Sequence, residues 1–115
     1  MEFVQLDKVQ AVIDRLCEKE VYVHLETTNG AYANHNDESF FNSGAYIRNA
    51  KLQYEYGKIT GEGPYRIGLK TEIGWVYAEG ITHYEVDNQN RLLLAGLDFT
   101  GKLAVALEIS ETPFE

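Results

Sequence analysis

Residues 91–110, RLLLAGLDFTGKLAVALEIS, hold two alternating segments on either side of Thr100-Gly101. In the second, Leu103, Val105, Leu107 and Ile109 recur at every other position. A half-buried strand requires that spacing, because successive side chains point to opposite faces of a sheet. A turn between two such runs predicts an antiparallel hairpin, Arg91 to Phe99 against Lys102 to Ser110.

The same reading extends outward along the chain. Val21, Val23 and Leu25 alternate with Tyr22, His24 and Glu26. A strand from Tyr46 to Tyr56 places Ala50, Leu52, Tyr54 and Tyr56 on one face. Tyr65, Ile67, Leu69, Thr71 and Ile73 oppose Arg66, Gly68, Lys70 and Glu72, and a further strand runs from Trp75 to Val86 before a turn at Asp87-Asn88-Gln89-Asn90. Only Asn29 to Gly44 departs from alternation. About six strands at roughly ten-residue spacing leave no room for crossover helices, which excludes a parallel βαβ architecture. Glycines within strands, Gly57, Gly68, Gly74, Gly80 and Gly96, favour strong curvature. The predicted fold is therefore mainly β: a small curved antiparallel barrel, or barrel-like sandwich, covered by one N-terminal amphipathic helix.

That helix, at about residues 7–19, follows from Leu6, Val9, Val12, Ile13 and Leu16 at helical spacing. Asp7 and Gln10 are placed to cap its start. Alternation resuming at Val21 stops it near Glu18 to Glu20. Cys17 falls on its apolar stripe, where a small thiol packs into the core.

The 115 residues suit one domain, large enough to bury roughly two-thirds of its unfolded surface. A formal net charge of −8 disfavours nucleic acid and anionic membrane surfaces, leaving cationic ligands, metals or a basic protein open. With one cysteine no internal disulfide forms, and no N-terminal apolar run resembles a signal peptide, so a cytoplasmic setting is expected. The apolar runs fall short of the ~20 residues that span a bilayer.

Three groups are candidates for function. His24 with Glu26, and His83 with Glu85, each set an imidazole and a carboxylate on one strand face. If their strands were neighbours, the four side chains would offer a divalent metal site. His35, Asp37 and Glu38, with Tyr32, Phe41 and Tyr46, lie in or beside the irregular stretch, which serves either as a solvated loop or as a binding or catalytic segment. The eight tyrosines, with Trp75, either close the rims of a small sheet protein or form a wall for a sugar-like or thiol-like molecule. Ser39, Ser43 and Ser110 sit in no nucleophile elbow.

Residues 40–49, FFNSGAYIRN, and 75–85, WVYAEGITHYE, resemble the YojF family of small bacterial proteins, along nearly the whole chain. The resemblance implies a β-barrel-like domain of uncharacterised function and assigns no residue a role. It also implies an accessory place beside a zinc-dependent deacetylase of low-molecular-weight thiol synthesis.

The expectation is a non-catalytic module that binds a protein partner or a small molecule through Tyr-rich surface and the segment from Tyr32 to Gly44, with no cofactor. The alternative is a metal-dependent enzyme built on the histidines. A homodimer would hide an unpaired edge strand or aromatic patch.

Overall fold

A computed structural model describes residues 1–28 and 43–115. Two antiparallel sheets face a shared core. The larger has the order β1-β7-β8-β9-β2-β3, built from β1 (Glu2–Phe3), β2 (Val21–Thr28), β3 (Gly44–Leu52), β7 (His83–Val86), β8 (Leu92–Leu97) and β9 (Leu103–Ser110). The smaller is β4 (Tyr56–Thr60), β5 (Tyr65–Lys70) and β6 (Trp75–Ile81), in that order. Among the described residues the expected barrel does not close, since the larger sheet ends at β1 and β3 and the smaller at β4 and β6.

The helix α1 (Leu6–Leu16) buries Val9, Ile13 and Leu16 against Ile59, Ile67 and Leu69 of the small sheet and Val21, Leu92, Leu94, Leu107 and Ile109 of the large one. Fully burying one such aliphatic side chain contributes about 1.5–3 kcal/mol, so this cluster dominates the stability of the domain. The helix ends earlier than the sequence suggests. Its C-cap is Cys17, and Glu18 follows with φ 66°, a left-handed residue that closes a helix. Tyr54 stitches this end down: its hydroxyl donates to the Ile13 carbonyl at 2.6 Å, and its own carbonyl accepts from Glu18 N–H at 2.9 Å. Ile13 is one of the last four residues of the helix, whose carbonyls have no partner within it.

Gln10 caps nothing at the helix start, where Gln5 is the N-cap without a side-chain bond. Instead its amide nitrogen donates to the Gly57 carbonyl at 2.9 Å and its oxygen accepts from Ile59 N–H at 3.0 Å. One helical side chain thereby fills two of the bonding positions that a fourth strand would occupy beside β4.

The two sheets are joined at Thr82. Trp75 to Val86 is two strands rather than one, and β6 lies against β8 and β9 of the other sheet. Thr82 N–H donates to Ala95 O at 2.9 Å, and its hydroxyl oxygen accepts from Leu97 N–H at 3.0 Å, filling the bulge between Gly96 and Leu97. A side chain at Gly96 would put its Cβ 2.1 Å from the Gly80 carbonyl oxygen, so glycine sets the spacing of the sheets here.

Candidate functional site: the outer face of the three-stranded sheet

Alternation sends Ile59, Ile67, Leu69 and Ala78 into the core and the opposite set to solvent. The outward set is Tyr56, Lys58 and Thr60 from β4, Arg66, Gly68 and Lys70 from β5, and Trp75, Tyr77 and Glu79 from β6. Register aligns Gly68 with Tyr77, Arg66 with Glu79 and Lys70 with Trp75. Trp75 and Tyr77, two residues apart on one strand, stack with centroids 5.1 Å apart and planes 8° from parallel. The Arg66 guanidinium lies 4.2 Å from the Tyr77 ring centre, and its Nε is 3.2 Å from a Glu79 carboxylate oxygen. Tyr56 meets Trp75 edge to face at 6.5 Å.

Gly68 makes this arrangement fit. A Cβ there would stand 2.9 Å from Tyr77 Cε1 and 3.4 Å from Trp75 Cζ3, so the rings lean over bare backbone. The aromatic contacts are worth about 0.5–1.5 kcal/mol each and the exposed cation–π contact about 0.5–1 kcal/mol, enough to bias the rings toward one arrangement before anything binds. Tyr56, Trp75 and Tyr77 remain 50%, 45% and 44% exposed. Together with Lys58, Thr60 and Arg66 they line a shallow depression of about 190 Å³.

The histidine pairs take a different form. His24 Nε2 lies 3.1 Å from Glu26 Oε1 on β2, and the ring is 6.1 Å from Tyr46, which is 71% exposed on β3. His24 is buried although it lies on the strand face opposite Val21 and Val23, and its Nδ1 has no hydrogen-bond partner among the described residues. His83 Nδ1 is 2.6 Å from Thr82 Oγ1 and its ring lies tilted against Phe3 with centroids 4.5 Å apart, while Glu85 approaches the Met1 amine at 3.6 Å. β8 and β9 separate β2 from β7, which puts the two histidines three strand spacings apart, about 14 Å. They do not share an ion, and no group of three or more His, Cys, Asp or Glu side chains among the described residues is placed to hold one.

Tyr32, His35, Asp37, Glu38 and Phe41 lie outside the described residues. Cys17 is half-buried with its Sγ 3.5 Å from the Tyr54 carbonyl, and burial, then the Glu18 and Asp14 carboxylates, push its thiol above the ordinary 9.0, against nucleophilic use. Sequence reasoning named Trp75 and the tyrosines but missed Arg66, Lys58 and Gly68. The available signal was the shared parity of Trp75 and Tyr77; what lay across from them depended on strand register. Among the described residues no helix is long and apolar enough to cross a membrane.

The fold and this face together define a small antiparallel β domain with an N-terminal helix and an exposed aromatic surface. The chain belongs to the family described as Protein of unknown function (DUF1806), whose model matches residues 3–114. It is 54% identical over 114 residues to the Uncharacterized protein YojF of Bacillus subtilis (strain 168), covering 99% of this chain and 98% of that one. It is also similar to the crystal structure of Bacillus subtilis YojF protein, with a TM-score of 0.84 and 51% identity over 99% of this chain and 96% of that one. The resemblance read from the sequence is thus a family relationship.

Proposed function

We propose that the protein is a non-catalytic binding module that docks a protein partner on the outer face of β4–β6. The observation that carries this reading is the contiguous set Tyr56, Trp75, Tyr77 and Arg66, exposed yet held in one stacked arrangement. Tyrosine, tryptophan and arginine are the residues that dominate interface hot spots, because each combines large contact area with a polar or charged handle. A protein is favoured over a small molecule by volume: the depression of about 190 Å³ falls below the ~300–1,000 Å³ of ordinary ligand pockets. An accessory role beside an enzyme of low-molecular-weight thiol synthesis, implied by the resemblance, would make that enzyme one candidate partner.

Affinity capture from a native lysate with the wild type and Trp75→Ala in parallel tests the proposal. The expected result is a species held by the wild type and lost from Trp75→Ala, while Tyr46→Ala, on the other sheet, retains it. Unchanged capture by a folded Trp75→Ala variant would rule out this face.

A further inference from the structure

We infer that the segment docked on this face is an acidic, extended stretch of polypeptide, read through its side chains. This rests on the docking reading above and adds the chemistry of the partner. The chain carries a formal net charge of −8, which by itself points to basic partners. The outer face of β4–β6 inverts that balance locally: among the described residues it presents Lys58, Arg66 and Lys70 against Glu79 and, just before β4, Glu55.

The three cations differ in how they are held. The Lys58 side chain has no ion pair or hydrogen bond among the described residues and sits between Tyr56 and Thr60 on the outward side of β4. Arg66 pairs with Glu79, and Lys70 with Glu55 at 3.0 Å, in both cases with carboxylates at least half exposed. Exposed pairs of this kind contribute little, so a carboxylate from a partner can replace either at little cost. The partner would then find three ammonium or guanidinium groups around an aromatic ladder, in a surface whose remaining charge repels it elsewhere. That contrast orients the encounter.

Two further features narrow the occupant. Addition of the segment as a fourth strand beside β4 is opposed, because Gln10 already bonds the Gly57 carbonyl and the Ile59 N–H there. The rings and cations that define the site stand on the face of the sheet and not along its β6 edge, so the segment lies across the strands and is read by side-chain contacts, with apolar or proline side chains against Trp75 and Tyr77 and carboxylates on the cations. A single-stranded nucleic acid also stacks on such rings, but it carries a charge at every nucleotide. Three cations in a strongly acidic chain suit a peptide with a few carboxylates better.

Trp75 is the only tryptophan, so its emission reports occupancy of this face directly. The full chain is titrated with a blocked twelve-residue peptide repeating glutamate, proline and leucine, with the same peptide carrying glutamine in place of glutamate, and with a ten-residue oligothymidylate. The acidic peptide should give a saturable change, weakened about tenfold or more by the glutamine replacement, by Lys58→Glu with Arg66→Glu, or by raising salt from about 50 to about 300 mM. Lys58→Gln guards against a double variant that fails to fold. Equal binding of the glutamine peptide overturns the acidic chemistry and leaves the docking face standing. Tighter binding of the oligothymidylate replaces the peptide with a nucleic acid. No spectral change with any probe also overturns the inference, and the Trp75→Ala capture experiment then decides the docking reading separately.

Discussion

Replacing Gln10 with alanine would open the edge of the three-stranded sheet. The Gln10 amide bonds both the Gly57 carbonyl and the Ile59 N–H, at 2.9 and 3.0 Å, and both residues are buried. Each bond contributes about 0.5–1.5 kcal/mol net, and a buried group left without a partner costs about 1–3 kcal/mol. Gln10 is half-buried, so water reaches part of the gap, and alanine regains a few tenths of a kcal/mol in helix propensity. The expected loss is about 1–3 kcal/mol. At about 4–8 °C per kcal/mol for domains a little smaller than this one, Tm falls by about 5–15 °C. Urea unfolding followed by Trp75 emission measures it, with an unchanged m-value showing that the unfolded state is not the cause. Light scattering should also show concentration-dependent self-association, because an unsealed edge is a template for pairing. Gln10→Glu keeps the acceptor for Ile59 but turns a carboxylate toward the Gly57 carbonyl, so it should cost a similar amount. A Gln10→Ala variant within about 0.3 kcal/mol of wild type, with no added association, would refute the idea that this side chain stands in for a strand.

Tyr54→Phe removes the hydroxyl that satisfies the Ile13 carbonyl and should cost about 1–3 kcal/mol in the same unfolding assay. Gly96→Ala forces a Cβ toward the Gly80 carbonyl oxygen, from a starting separation of 2.1 Å, and should cost about 3 kcal/mol or more, seen as a sharp fall in Tm. Gly68→Ala meets only side-chain atoms, at 2.9 Å and beyond, so it should leave Tm within a few degrees but shift Trp75 emission as the stack is displaced. The Asp98 carboxyl is held below its ordinary 3.8 chiefly by the Thr100 hydroxyl and then by Lys102 N–H, against slight desolvation. A depressed value means that the bonds of the β8–β9 turn are fully present above pH ~3.8 and lost as pH falls through the folded value. Amide exchange at Gly101 and Lys102 should therefore accelerate, relative to the intrinsic rate, as pH falls below the ordinary 3.8 and through the lower folded value, and Asp98→Asn should remove that dependence.

Where the chain stays within one sheet, its alternation was legible. The β8–β9 hairpin, the inward set Val105, Leu107 and Ile109, and the helix stripe Val9, Ile13 and Leu16 all follow from period alone. Where the chain passes between sheets, period misleads. Residues 49–56 keep strict parity, yet β3 stops at Leu52, Tyr54 is buried outside any strand, and Tyr56 emerges on the solvent side of the other sheet. The same happens at Thr82, and Ile73, expected on an inward face, is 96% exposed in the β5–β6 turn. The two His-x-Glu pairs were correctly seen as sharing a strand face; whether the strands were adjacent was fixed by sheet order, which no local pattern carries. The seal at Gln10 was beyond reach for the same reason, since it joins residues 47 and 49 positions apart.

Two glycines explain why the small sheet, rather than the large one, presents an ordered face. Gly57 points inward, and a Cβ there would come within 2.5 Å of Ile13 Cγ2, so its absence lets α1 seat directly on β4. Gly68 points outward and lets Tyr77 and Trp75 lie down on β5. The sheet is thus held from inside by a helix at close approach and capped outside by rings at close approach, each through a side chain missing from the face it covers. Binding costs side-chain entropy for every rotamer-rich group it immobilises, about 0.5–1.5 kcal/mol apiece. Rings already stacked on bare backbone and on Arg66 have met much of that cost in folding. Enlarging Gly68 should therefore weaken binding through disorder of the rings even where every contacting residue is retained. That effect separates a preordered platform from a merely exposed aromatic patch.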